Sequence, residues 1–278
     1  MDASEKYRSF YAKLICTGGK LEDPRIEEAF RFVKREPFAG PGPWYLTFGG
    51  HLPYVQTPDD DPAFLYGNML LALDRERSIN IGQPSAHAMW LEACNIKEAE
   101  TVVQVGTGSG YYTAILAHLV GANGRVYGYE IDEGLAAWAR ENLRDVRHAE
   151  VRTQSGAVSE LPQADLIYVC AGAAQPSRNW LDALRPGGRL LFPLAPDGVL
   201  GGMLLITRPD QGSAWPAKFV TRAAFIGCVG LQDEEAGRRL TEAFSKNWNR
   251  VRSLRRDGSP DDSSWFAGEG WWLSTADA

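Results

Sequence analysis

The chain has 278 residues and a formal net charge of −6 at pH 7, from 29 Lys and Arg against 35 Asp and Glu. This length suits one large α/β domain with additions and a sizeable core, and the acidic balance argues against a general nucleic-acid-binding surface. The first residues lack an apolar signal core, no apolar run is long enough to cross a membrane, and four scattered cysteines form no C-x-x-C pair. We therefore expect a cytoplasmic protein with free thiols, no metal site, no nucleic-acid partner and no membrane association.

The N-terminal part is predicted to be helical and then irregular. One helix is expected over residues 4–16, and a second begins at Pro24 and covers residues 26–35. Residues 38–62 are crowded with proline, glycine and aspartate and are predicted to form a long loop. Such a loop is either a functional lid or substrate wall, or an ordered wrap over the edge of a sheet. After it, Pro84 suits the first turn of a helix, which places Ile81, Gly82 and Gln83 at the start of that helix.

The strongest motif is a strand, a glycine-rich turn and a helix. Residues 101–105 are rich in β-branched side chains, as a buried parallel strand requires, and the apolar spacing becomes helical from Tyr111. The turn between them consists of Gly106, Thr107, Gly108, Ser109 and Gly110. Glycine permits positive φ and lets a ligand lie against the backbone, and the free N–H groups at the helix start face the turn. A tight turn without a ligand is the alternative.

The glycine spacing favours one cofactor class. The pattern is G-x-G-x-G, because Tyr111 stands where a nicotinamide-binding G-x-G-x-x-G has its third glycine. A second strand over residues 125–131 carries Glu130 and Ile131 at its end, and an acid there can accept hydrogen bonds from both ribose hydroxyls of a nucleoside. That acid is common to folds that bind S-adenosylmethionine (SAM) and NAD. SAM is favoured, and an NAD oxidoreductase is disfavoured by Tyr111 and by the lack of an evident hydride-transfer acid.

The rest of the chain continues the alternation of strands and helices. Further strands are predicted over residues 150–154, 165–170, 189–194, 203–207 and 217–225. The alternation predicts an α/β, Rossmann-like fold with a mostly parallel seven-stranded sheet, helices on both faces, an N-terminal helical segment and a C-terminal extension. Ligands in such sheets sit at the carboxyl ends of the strands, where Ser155, Gly156 and Ala171 lie.

Three segments are expected along the chain. Residues 1–78 form the N-terminal helical segment with the substrate-side loop, residues 79–230 form the cofactor-binding core, and residues 231–278 form the extension. Five of the nine tryptophans lie from Trp215 onward. A packed edge is the favoured interpretation of this tryptophan-rich end, with a dimer contact or a peptide platform as the alternative.

At this point the motifs resemble those of the protein-L-isoaspartate O-methyltransferases. Residues 105–119 look very like that family's first motif, and residues 81–87 are similar to its segment just upstream. Residues 165–169 and 184–190 match its fourth-strand and fifth-strand motifs. The resemblance runs from roughly Ala29 to Ala195 and implies a class I methyltransferase fold. It also implies SAM as methyl donor, S-adenosyl-L-homocysteine as product, and a free peptide carboxylate, typically of an isoaspartyl residue, as acceptor.

The resemblance also implies roles for individual residues. Glu130 would hold the ribose, the glycine turn the methionine portion, and Ser155 with Gly156 the adenine. Cofactor contacts are predicted at Ile81, Gln83, Pro84, Gly106, Thr107, Gly108, Ser109, Gly110, Tyr111, Glu130, Ile131, Ser155, Gly156 and Ala171. The acceptor is expected to lie near Gly82, Asn80, His87 and the loop of residues 38–62, although His87 is equally consistent with a helix-surface residue.

Two positions depart from the family pattern. The family usually has a serine where this chain has Gly82, close to the reacting carboxylate, and an aspartate where this chain has Ser155. The hydroxyl of Ser155 is a weaker acceptor for the adenine amino group than a carboxylate. Two further readings therefore stay open: a tailoring enzyme that methylates an aspartate of a ribosomally made peptide, and a SAM-binding homologue without catalysis. A monomer and a homodimer are both compatible with the sequence.

Overall fold

The computed structural model describes residues 3–49, 52–256 and 258–278. By its contacts the chain divides into two compact units. The first comprises Met1–Ala99 and Thr107–Thr153, and the second comprises Glu100–Gly106 and Gln154–Ala278. The chain therefore passes from the second unit back to the first within the glycine-rich turn. The segment roles assigned above to residues 1–78, 79–230 and 231–278 stay a prediction.

Helices make up much of the first unit. In chain order they are α1 (Ala3–Gly19), α2 (Pro24–Phe32), α3 (Glu36–Ala39), α4 (Pro84–Cys94), α5 (Tyr111–Val120) and α6 (Glu133–Asn142). Asp23 caps α2 by accepting a hydrogen bond from the backbone N–H of Arg25, and Pro24 occupies its first position. The predicted end of this helix at residue 35 is wrong, because Val33 is extended at ψ 114° and breaks the helix after Phe32. No helix of the described chain is both long and apolar enough to cross a membrane.

The described residues of the first unit also form six strands, which are numbered in chain order along the whole chain. They are β1 (Tyr45–Thr47), β2 (Val55–Gln56), β3 (Leu70–Asp74), β4 (Ile79–Ile81), β6 (Arg125–Glu130) and β7 (Ala149–Thr153). The first four form an antiparallel sheet in the order β2-β1-β3-β4, while β6 and β7 pair in parallel. The prediction of a continuous loop over residues 38–62 is therefore wrong in part, since it contains β1 and β2; residues 50 and 51 of that loop lie outside the described residues.

The second unit is built on one sheet. Its elements are β5 (Thr101–Val105), β8 (Ala164–Val169), α7 (Arg178–Ala183), β9 (Leu184–Leu194), β10 (Gly201–Thr207), β11 (Ala214–Ala223), α8 (Glu234–Ser245), β12 (Ser253–Arg255), β13 (Ser264–Gly268) and β14 (Trp271–Ser274). The strand order is β13-β14-β12-β11-β10-β9-β8-β5. The strands β5, β8 and β9 are parallel, and the others join antiparallel. All seven strands predicted for the core are present, five in this unit and two, β6 and β7, in the first, and the described residues of the tail form three more.

The tail is packed on the sheet that it extends. Its helix α8 places Phe244 with the ring centroid 5.3 Å from that of Phe219 on β11 and 5.2 Å from that of Trp265 on β13. Trp265, Trp271 and Trp272 are each at most 6% exposed. Rings buried this completely are typical of a hydrophobic core, which agrees with the packed-edge interpretation of the tryptophan-rich end.

Candidate active site

The glycine-rich turn has the backbone geometry that its sequence predicts. The φ angles of Gly106, Gly108 and Gly110 are +79°, +57° and +96°. Gly110 precedes the first residue of α5, and its N–H donates to the carbonyl of Thr107 at 3.0 Å. The N–H of Thr107 donates to the carbonyl of Tyr129 on β6 at 3.3 Å. The turn is thus tied to the strand that carries the predicted ribose-binding acid.

The glycines of the turn differ in the space around them. A Cβ atom on Gly110 would lie 3.2 Å from a methyl of Leu143 and 3.4 Å from the Cβ of Ala139, both in or next to α6. A Cβ atom on Gly108 would meet only a methyl of Leu73 at 3.4 Å, an ordinary contact. Two features therefore favour glycine at residue 110: its positive φ, and the close packing of α6 against the turn.

We expect Gly110→Ala to lower the free energy of unfolding by about 2 kcal/mol, from backbone strain and crowding against α6 together. Gly108→Ala is the matched control, because it adds the same methyl group at a positive φ but without the crowding, and we expect it to lower stability by about 1 kcal/mol. Chemical denaturation of both variants measures the difference. Equal destabilisation would contradict the crowding that the structure shows around residue 110.

Glu130 connects the end of β6 to the glycine turn. One carboxylate oxygen accepts the N–H of Gly108 at 2.7 Å, and the other accepts the N–H of Asp132 at 3.1 Å. The side chain is only 8% exposed, and this burial raises the pKa of Glu130, although the backbone N–H groups that it accepts oppose the rise. Each carboxylate oxygen has a second lone pair, so both can still accept hydrogen bonds from a diol.

The turn also contains two buried hydroxyl groups. Thr107 and Ser109 are 5% and 1% exposed, and neither side-chain oxygen has a hydrogen-bond partner within the described part of the chain. Both oxygens are shielded from solvent, and a Cβ atom on Gly128 would lie 2.7 Å from Oγ1 of Thr107, so these hydroxyls belong to the packing around the turn. The positive-φ glycines and a buried acid that contacts the turn fit a nucleoside cofactor.

The predicted acceptor side lies where β4 leads into α4. Pro84 is the first residue of this helix, as predicted, and Gln83 precedes it in an extended conformation. The carbonyl of Gln83 accepts the N–H of His87 at 3.2 Å, and the N–H of Ser85 donates to the side chain of Asn68 at 3.0 Å. The carbonyl of Gly82 accepts the hydroxyl of Tyr112, in α5, at 2.7 Å. This bond ties the helix after the glycine turn to residue 82.

His87 is a core residue of the first unit, so its interpretation as a helix-surface residue is wrong. It is 2% exposed, its ring stacks on that of Tyr112 with centroids 3.5 Å apart and planes 8° apart, and Trp90 contacts it edge-on at 4.8 Å. Burial, with the charge of Arg35 as a second cause, lowers the pKa of His87 to about 3. The imidazole is therefore neutral at physiological pH.

Arg35 supplies a buried positive charge that the sequence did not reveal. It is 1% exposed, its Nη1 donates to the carbonyl of Leu65 at 2.8 Å, and its guanidinium lies 5.6 Å and 5.2 Å from the ring centroids of Tyr11 and Tyr111. The cation–π contacts with the two tyrosine rings offset part of the cost of burying this guanidinium, whose Nε and Nη2 atoms have no hydrogen-bond partner among the described residues. A single arginine at the end of a predicted helix carries no sequence signal for such a role.

The remaining predicted residues of the first unit have mixed surroundings. Tyr111 has its hydroxyl 3.2 Å from that of Tyr11 within an aromatic cluster, so its side chain serves packing while its backbone begins α5. Ile131 follows Glu130 and is 52% exposed, so an apolar side chain faces solvent next to the acid in the chain. Asn80, on β4, donates from its side chain to the carbonyl of Ser78 at 3.0 Å. Ile81 is buried at the end of the same strand.

In the second unit, the predicted adenine residues form a turn after residue 153. The hydroxyl of Ser155 accepts the N–H of Ala157 at 3.4 Å, and the carbonyl of Gly156 accepts the indole N–H of Trp180 at 2.7 Å. Ala171 lies just beyond the end of β8, and Gly106 directly follows the last residue of β5, Val105. The carbonyl of Val105 accepts the N–H of Cys170 at 2.8 Å. The ends of β5 and β8 are thereby adjacent, as the parallel arrangement predicts.

Within the first unit the structure brings together two groups of residues. One joins Glu130 to Gly108, and the other joins Gly82 to His87 and Tyr112. Tyr112 was missed by the sequence reasoning. In the sequence, Tyr112 is marked only by its place after Tyr111 at the start of a helix. That place does not distinguish a packing residue from one whose hydroxyl binds a backbone carbonyl 30 residues away. The described residues contain no group of metal-ligating side chains.

Comparisons with known proteins identify relatives over most of the chain. The family model described as protein-L-isoaspartate(D-aspartate) O-methyltransferase matches residues 54–232. A protein-L-isoaspartate O-methyltransferase of Ignicoccus hospitalis is 32% identical over 229 residues, covering 81% of this chain and 98% of that protein. Protein-L-isoaspartate O-methyltransferase 2 of Syntrophobacter fumaroxidans is 31% identical over 212 residues, 75% of this chain and 76% of the relative.

Solved structures agree on the fold. One described as a protein-L-isoaspartate O-methyltransferase aligns over 86% of this chain and 69% of its own, with a TM-score of 0.64 and 21% identity. A structure from Plasmodium falciparum, described as a β-aspartate methyltransferase in complex with S-adenosyl-L-homocysteine, covers 80% of this chain and 97% of its own, with a TM-score of 0.61 and 18% identity. The predicted α/β class I methyltransferase fold is confirmed.

Proposed function

The chain belongs to the protein-L-isoaspartate(D-aspartate) O-methyltransferase family, and from this premise we propose that it methylates the free carboxylate of an isoaspartyl residue in a peptide or protein, with SAM as donor. The observation that carries the proposal is the contact between Glu130 and the glycine turn, at 2.7 Å from the N–H of Gly108. A buried acid held against a turn of positive-φ glycines supports this proposal, because its carboxylate can accept the two hydroxyls of a ribose while the glycine backbone lets the ligand lie close.

Each residue near the turn receives a role on this proposal. Glu130 accepts the two ribose hydroxyls, and the backbone of the glycine turn holds the methionine portion. Ile131 offers an exposed apolar surface beside the acid. In the second unit, Gly106 belongs to the same turn, and Ser155, Gly156 and Ala171 stay predicted contacts of the adenine.

The reaction places few demands on proton chemistry. Bound SAM supplies a methyl group on a positively charged sulfur. An acceptor carboxylate with a pKa near ~4 is already ionised at neutral pH, so the protein needs no general base. Its residues have to align the carboxylate and exclude water. The missing hydroxyl at Gly82 therefore removes a positioning group, and Asn80, His87 and the segment of residues 38–62 are the proposed acceptor surroundings.

The direct test is methyl transfer from labelled SAM to two peptides that differ only in one residue, isoaspartyl in one and aspartyl in the other. We expect base-labile label on the isoaspartyl peptide alone, because a carboxyl methyl ester hydrolyses in base. Calorimetry of SAM with the same protein sample is the control for a competent cofactor site. SAM binding without label on either peptide would overturn the isoaspartyl proposal and favour a dedicated partner or a homologue without catalysis.

One observation favours a second acceptor class. The family match ends at residue 232, and the described residues after it form α8 and three strands. An addition of this kind gives a surface for a particular peptide, as a tailoring enzyme that methylates an aspartate would need. Transfer to the aspartyl peptide, or to a longer aspartate-containing peptide only, would support this function over repair of isoaspartyl residues.

The proposal also covers the cellular location, the substrate class and the oligomeric state of the enzyme. A cytoplasmic location is supported by the four cysteines, all of which are free thiols. The substrate is a peptide or protein, and the enzyme acts as a monomer or a homodimer. Light scattering at several protein concentrations would distinguish the two oligomeric states.

A further inference from the structure

Residue 82 has no side chain, and the space that a side chain would need is occupied. A Cβ atom on Gly82 would overlap the Nε2 atom of His87 and lie 3.0 Å from its Cδ2 atom. Real Cβ atoms rarely approach other heavy atoms so closely. The imidazole of His87 therefore stands where the side chain of residue 82 would begin.

The ring of His87 has little freedom to leave this place. Tyr112 stacks on one of its faces at 3.5 Å, and Trp90 packs edge-on against it. The hydroxyl of Tyr112 is itself bound to the carbonyl of Gly82 at 2.7 Å. Gly82, His87 and Tyr112 thus contact one another pairwise. A change at any one of these residues disturbs the other two.

We propose that His87 replaces a side chain at position 82 and acts as a positioning residue of the acceptor site. The neutral imidazole supports the backbone of Gly82 from the interior, and Tyr112 holds its carbonyl. This inference rests on the proposed function, because it assumes that residue 82 lies at the acceptor. It deepens that function by making residues 82 and 87 one interdependent unit.

A double-mutant cycle tests the interdependence. In Gly82→Ser, the new side chain competes with His87 for one space, and we expect kcat/KM for the isoaspartyl peptide to fall about tenfold or more. His87→Ala leaves a void under Gly82 and is expected to lower kcat/KM by a similar factor. In the variant with both changes the serine fills the space, so we expect kcat/KM to exceed that of either single variant.

Three measurements separate positioning from a merely structural role. The dissociation constant of SAM should stay within about threefold across the cycle, and the loss in the single variants should lie in kcat rather than in the KM for SAM. Gly18→Ser, at a helix position where a Cβ atom meets nothing within 4 Å, is the matched control and should behave like the unchanged protein. Changes in melting temperature without changes in kcat would overturn the positioning role.

The cycle also distinguishes failure of this inference from failure of the proposed function. If the unchanged protein methylates neither peptide, the proposed function fails, and the melting temperatures of the four proteins still test the pairing. Serine at residue 82 should then destabilise the protein that has His87 and stabilise the one that has alanine there. Independent effects of the two substitutions, in activity or in melting temperature, would overturn the inference.

Discussion

Glu130→Ala is expected to raise the dissociation constant of SAM by about two orders of magnitude or more. Hydrogen bonds to a charged acceptor are worth about 1.5–3 kcal/mol each, and the two ribose hydroxyls would lose theirs together. The substitution also leaves the N–H groups of Gly108 and Asp132 without the carboxylate that they contact now. Isothermal titration calorimetry with SAM and with S-adenosyl-L-homocysteine measures the loss, and both ligands should weaken equally because they share the ribose.

Glu130→Gln is the matched control for this loss. Its amide keeps the shape of the side chain and one acceptor oxygen, so an intermediate loss of about tenfold is expected. Because burial already raises the pKa of Glu130, removing its charge is not expected to unfold the protein, and melting curves should show this. A dissociation constant within about threefold of the original in the alanine variant would remove Glu130 from the cofactor site.

Acidification is expected to destabilise the protein through His87. Its pKa in the folded chain is about 3, against 6.5 in an exposed histidine, so the unfolded state binds more protons between these two values. Stability from this residue is therefore fully present above pH 6.5 and is lost as the pH falls toward 3. Between pH 7 and pH 4.5 the loss amounts to about 2.5 kcal/mol.

The contribution of His87 is isolated by difference, because carboxylates also titrate in this range. His87→Gln removes the titrating group, and the free energy of unfolding of that variant should depend less on pH than that of the unchanged protein. His118 is the matched comparison: its ring contacts that of Phe32 at 4.8 Å with the planes tilted by 33°, and burial lowers its pKa, but it is only partly buried. His118→Gln should change the slope much less, and equal slopes for the original protein and His87→Gln would contradict a buried neutral imidazole.

The strand, turn and helix around the glycine motif could be predicted from sequence because their determinants are local. Val102, Val103 and Val105 favour a strand wherever they are buried, and positive φ at Gly106 or Gly110 depends on a few neighbouring residues. The position of Glu130 followed from the same logic, since the end of a second parallel strand falls at the same edge as the turn. The family resemblance then supplied the cofactor.

The surroundings of residue 82 could not be predicted, because they depend on contacts between distant parts of the chain. Tyr112 reaches Gly82 across 30 residues, and the contacts of Arg35 with Leu65 and the two tyrosine rings also join distant parts of the chain. Strands as short as β1 and β2 lack the alternation that marks longer ones, so their loop looked irregular. Tertiary packing decided each of these features.

The place of the tail in the sheet sets a length requirement for any peptide that uses it. From β5 to β12 there are five steps between neighbouring strands, or about 24 Å at the usual spacing. An extended chain covers about 3.3 Å per residue, so a peptide needs about seven residues to reach from β5 to a contact on β12. Shorter peptides cannot contact both strands, so any dependence of methylation on the extension should appear only as the substrate grows past that length.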